Sequence, residues 1–96
     1  MKKSGFYKLE NGDYEYICGG KIVINSQTDL DKRISTLIIS EANVIHKIGE
    51  VKEYKESYFA ENTPRTNIVF DSVESIQSFI DHLELLKKQL SLCQHL

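Results

Sequence analysis

Tryptophan is absent from this chain, and proline occurs once, at Pro64. So little proline leaves few rigid loops and excludes a proline-rich linker. No run approaches the roughly 20 apolar residues that a bilayer-crossing helix needs. The segment MKKSGFYKLENGDYEY carries two lysines but no apolar stretch behind them, so it does not read as a secretory signal. Cys18 and Cys93 are the only cysteines. Two distant thiols without an export signal fit a reducing cytoplasm, where free cysteine acts as a small apolar residue.

A basic excess is also missing. Twelve basic residues against fourteen acidic ones give a net charge of −2, whereas proteins held by nucleic-acid phosphates carry a basic stripe or surplus. The metal donors His46, His82, Cys93 and His95 show neither Cys-x-x-Cys nor His-x-x-x-His spacing. No Gly-x-Ser-x-Gly and no phosphate loop occurs. Asp29 and Asp31 lie in a polar stretch that reads as solvated. No cofactor, no metal site and no enzyme active site is expected.

What remains is ordinary globular material. With 96 residues, 41% of them hydrophobic and 27% charged, the chain suits one α+β domain spanning 1–96. Its first third, YKLENGDYEYICGGKIVIN, contains Asn11-Gly12 and Gly19-Gly20 between β-prone runs. Read as two-residue turns, these predict a three-stranded meander. Lys8 then opposes Glu15, Tyr7 opposes Tyr16, Phe6 opposes Ile17, and Ile17 opposes Ile22. Alternation puts Phe6, Ile17, Ile22 and Ile24 on a core face, and Tyr7, Leu9, Tyr14, Tyr16 and Val23 on the other.

Residues 26 to 33 read as a polar connector, with one helical turn started by Thr28 as an option. ISTLIIS, residues 34 to 40, is β-branched and predicts a fourth strand. Residues 50 to 59 alternate unevenly, as a strand with Val51 and Phe59 inward or as a charged helix. Gly49 and its β-prone flanks favour the strand. Residues 66 to 70 form the last strand. Asp71 followed by Glu74 predicts a capping box opening a helix from about Ser72 to about Leu92. The fold expected is therefore an antiparallel sheet of five or six strands with one long C-terminal helix packed on one face.

On that helix Val73, Ile76, Phe79, Ile80, Leu83, Leu86 and Leu90 form one stripe, wide enough to cover a sheet face. Leu85, Leu92 and Leu96 fall on the far side and are candidates for a partner or dimer contact. The tyrosine face, with Tyr7, Tyr14, Tyr16 and Lys21, is a second candidate surface. Glu50, Glu53, Glu56 and Glu61 offer an acidic rim for a basic partner. Strands followed by one long helix resemble the element order of single-strand binders of the Pur, Whirly and transcriptional-coactivator type. That resemblance implies base stacking on exposed rings, although no motif of those families is present and no residue carries over.

The expectation is a small non-enzymatic cytoplasmic protein-binding module, comparable in size and charge to inhibitors, immunity proteins and phage counter-defence factors. Self-association through the C-terminal helix is part of it. Single-stranded nucleic-acid binding is the alternative.

Overall fold

The computed structural model describes residues 2–43, 47, 59, 60 and 64–94. Among these run five strands and one helix: β1 Gly5–Lys8, β2 Tyr14–Ile17, β3 Ile22–Asp29, β4 Ile34–Glu41, β5 Thr66–Phe70 and α1 Val73–Gln94. The class is α+β, as expected. The strands form two antiparallel sheets instead of one, β1-β2 and β3-β4-β5. By internal contacts the chain divides into two units, Met1–Gln27 with Thr36–Ile68, and Thr28–Ser35 with Val69–Leu96.

The first hairpin corrects the expected register by one residue. Gly5 opposes Ile17, Phe6 opposes Tyr16, Tyr7 opposes Glu15 and Lys8 opposes Tyr14. The cause is the loop. Gly12 N–H donates to Leu9 O at 3.0 Å and Leu9 N–H to Asp13 O at 2.8 Å, closing a three-residue loop, Glu10-Asn11-Gly12. Such loops place a left-handed residue last, and Gly12 supplies it with φ of 95°. Asn11 works through its side chain, its Oδ1 accepting from Asp13 N–H at 3.0 Å. One residue of slip reverses the facing of one strand against the other.

The expected β2–β3 pairing is absent among the described residues. The Gly19 carbonyl accepts from Ile22 N–H at 3.2 Å, a turn that delivers the chain into the other sheet. Lys21 is held by its backbone: its N–H donates to Ser4 Oγ at 3.2 Å, and its carbonyl accepts from Ala42 N–H at 2.7 Å. Gly19 permits the approach of Ser4, because a Cβ at that position would stand 3.0 Å from the serine side chain. With β3 in a separate sheet its phase inverts. Val23 is buried and Ile24 exposed, the reverse of the expected facing.

The supposed connector is the outer part of a hairpin. β3 runs through Asp29, whose Oδ1 accepts from the N–H groups of Asp31 and Lys32, both at 3.1 Å. This closes a four-residue loop, Leu30 to Arg33, ending on Arg33 with φ of 58°. Thr28 and Ser35 hydroxyls pair at 2.9 Å below the loop. Polar sequence signals a loop only when nothing pairs with it. Here alternating Thr, Ser and Gln form strand.

Among the described residues the buried apolar core consists of Val23, Ile38, Ala42 and Phe59, with Ser40 fully enclosed. Ile38, Ser40 and Ala42 are alternate residues, so one face of the end of β4 supplies most of it. Ala42 and Phe59 form an isolated antiparallel bridge, and the Arg65 guanidinium stands 4.1 Å from the Phe59 ring centroid. Phe59 is thus inward, as expected. The strand or helix assignment of residues 50–58 lies outside the described residues.

The helix begins one residue later than expected. Ser75 N–H donates to Ser72 Oγ at 3.1 Å, and Ser75 Oγ donates back to the Ser72 carbonyl at 2.8 Å. Ser72 is therefore the N-cap, and Glu74 lies in the first turn, where a carboxylate meets the positive end of the helix dipole.

Candidate interaction surface

The expected tyrosine face is divided by the register. Phe6, Lys8, Tyr14 and Tyr16 share one face of the hairpin, while Tyr7 and Glu15 share the other. On the first face Phe6 lies between the two tyrosines, with ring centroids 5.4 Å from Tyr14 and 5.1 Å from Tyr16. Tyr14 is 59% exposed. Tyr16 is half-buried, and its hydroxyl pairs with Thr66 Oγ1 at 2.8 Å and reaches Pro64 O at 3.3 Å. It ties the hairpin to the start of β5.

On the second face Tyr7 donates to the Lys3 carbonyl at 2.6 Å. Lys2 Nζ lies 5.1 Å from the Tyr7 ring centroid and 3.4 Å from Glu15. Both charges are largely exposed, so that pair contributes at most about 1 kcal/mol. Tyr7 and Tyr16 are engaged with their own chain, and Lys21 is half-buried on neither of these faces. Of the four residues expected on this surface, only Tyr14 stands open.

The helix holds the larger open surface. None of its residues is buried. Ser75, Ile76 and Phe79 are half-buried, with Phe79 set edge-on against Phe70 at 5.5 Å. Beyond that anchor the stripe expected to cover a sheet face is open. Leu83 is 50%, Leu86 58% and Leu90 59% exposed, and Val73 and Ile80 are exposed too. Leu85 and Leu92, on the far side, are exposed as well. Leu96, Glu50, Glu53, Glu56 and Glu61 lie outside the described residues.

The opening of the main stripe was the feature that sequence reading missed. With Val73 and Ile80 included, the stripe has the ordinary width of a helix that covers a face of its own fold, so its spacing gives no signal that it stands open.

Among the described residues no group of three or more His, Cys, Asp or Glu side chains could hold a metal ion. No described helix is long and apolar enough to cross a membrane. Cys18 and Cys93 are free and exposed. Compared with protein-family models, curated proteins and solved structures, the chain matches none.

Proposed function

We propose that this chain is a small non-enzymatic protein-binding module whose working surface is the apolar face of α1. One observation carries the reading: a 22-residue helix buries none of its residues while presenting a row of leucines to water. Each fully buried leucine contributes about 1.5–3 kcal/mol, so three half-exposed ones leave several kcal/mol available to a partner. In proteins most helical stability comes from packing of the apolar face and not from intrinsic propensity, and here that face is largely unpacked. The two free, exposed thiols suit the reducing cytoplasm proposed as its setting.

Affinity capture from native extract tests this, with unmodified chain and the Leu83→Glu/Leu86→Glu double variant as paired baits. Proteins retained by the first and lost from the second support a helix-face binding site. Identical capture by both baits contradicts it.

A second reading, single-stranded nucleic-acid binding, is favoured by one observation: Lys8, Phe6 and the open Tyr14 ring share a hairpin face. Base stacking on such rings contributes about 1–3 kcal/mol per base. Titration of labelled single strands at low salt decides it. Binding lost in Tyr14→Ala supports this reading, and no binding removes it.

A further inference from the structure

We infer that Asn11 is a self-modification site that the closed β1–β2 loop holds in check. When the loop opens, the Asn11 side chain cyclises onto Gly12 and its amide nitrogen is lost as ammonia. The inference is independent of what binds α1. It stands on the bonds that close the loop and on the chemistry of an asparagine followed by glycine.

The reaction needs only the chain and water. The Gly12 backbone nitrogen attacks Asn11 Cγ, and the new N–Cγ bond closes a five-membered imide ring. The Cγ–Nδ2 bond breaks, and Nδ2 leaves as ammonia with the proton that the Gly12 nitrogen gives up. Water then opens the ring at one of its carbonyl carbons. Opening at Cγ leaves aspartate at position 11. Opening at the backbone carbonyl carbon leaves isoaspartate, with the main chain running through the former side chain. Nothing is oxidised or reduced. Glycine suits the attacking position because, without a Cβ, its backbone can be approached closely. The space beside Gly12 is open too, with nothing among the described residues within 4 Å of where a Cβ would stand. Asn11, Gly12 and Asp13 are all exposed, so burial does not keep water from the site.

Hydrogen bonds restrain it instead. The Gly12 N–H is committed to Leu9 O at 3.0 Å, so the attacking nitrogen is engaged as a donor. Asp13 grips the Asn11 amide at both ends. Nδ2 donates to Asp13 Oδ2 at 3.1 Å, and Oδ1 accepts from Asp13 N–H at 3.0 Å. Ring closure must break that grip and release the nitrogen. The products do not restore what is lost. Aspartate puts a second carboxylate where Nδ2 faced Asp13, and like charges repel. Isoaspartate adds a backbone methylene to the loop that sets the β1–β2 register. Either product adds one negative charge to a net charge of −2. An opening of the loop is thus recorded as a covalent change.

Peptide mass spectrometry of position 11 over time tests this on the full chain at mildly alkaline pH, in buffer and in unfolding urea. The expected result is deamidation in urea, with both aspartate and isoaspartate formed. In buffer the rate should be lower by roughly tenfold or more, because the loop bonds must open first. Asp13→Ala removes the acceptor for Nδ2, and should speed the reaction in buffer while leaving the rate in urea unchanged. Asp13→Asn keeps a side-chain acceptor and should stay slow in buffer, both variants being checked as folded by circular dichroism. Equal rates in buffer and in urea overturn the restraint by the loop. An Asn11 that stays intact in urea overturns the site itself. An Asp13→Ala rate in buffer no faster than that of the unmodified chain overturns the grip.

Discussion

Phe6 stands opposite Tyr16 across the β1–β2 hairpin, with ring centroids 5.1 Å apart. That pairing exists because Gly12 closes a three-residue loop, and it decides which aromatic rings share a face. Replacing Gly12 with alanine puts a Cβ on a residue with φ of 95°. The expected outcome is a loss of about 1 kcal/mol or somewhat more, read as a lowered urea midpoint with an unchanged slope. An unchanged midpoint would mean that the loop closes some other way.

Tyr16 holds the hairpin to the start of β5 through its 2.8 Å hydroxyl pairing with Thr66. Tyr16→Phe keeps the ring and removes the bond, and should lower stability by about 0.5–1.5 kcal/mol. In a double-mutant cycle with Thr66→Val the two losses should not add. Full additivity would show that the hydroxyls act independently.

Ser40 is fully enclosed, and its hydroxyl has no hydrogen-bond partner among the described residues. An unpaired buried hydroxyl disfavours the folded state, so Ser40→Ala should be neutral or stabilising by up to about 1 kcal/mol. Thermal denaturation checks the sign. A marked destabilisation would reveal a hydrogen bond that Ser40 makes in solution.

At the start of α1, Ser72→Ala should cost about 1 kcal/mol, because it removes the acceptor for Ser75 N–H. Asp71→Ala, one residue outside the cap, should cost clearly less. Chemical denaturation of the two variants side by side distinguishes them, and equal losses would return the cap to Asp71.

The sequence made the α+β class, the strand at 34–40, the last strand and the C-terminal helix legible, because each has an unbroken apolar period or a run of β-branched residues. It did not reveal the division into two sheets. Asn11-Gly12 suits a two-residue or a three-residue loop, and the choice between them shifts the whole register. Gly19-Gly20 reads as a hairpin turn until the Lys21 backbone is seen to bond with Ser4 and Ala42. Such bonds join distant segments and leave no trace in local pattern. The part of β3 from Ser26 to Asp29 is hidden in the sequence because polar residues fill it. Of the candidate surface residues, Tyr14, Leu85 and Leu92 are exposed. The main helix stripe reads as interior because a period of apolar residues marks one face of a helix and says nothing of how exposed that face is.

That exposure is directly measurable. Urea denaturation of the unmodified chain and of Leu86→Glu tests whether the α1 leucines stand open or belong to the fold's own interior. The account predicts nearly equal midpoints, because Leu86 is 58% exposed. A loss of several kcal/mol on Leu86→Glu, as a core leucine would give, contradicts it.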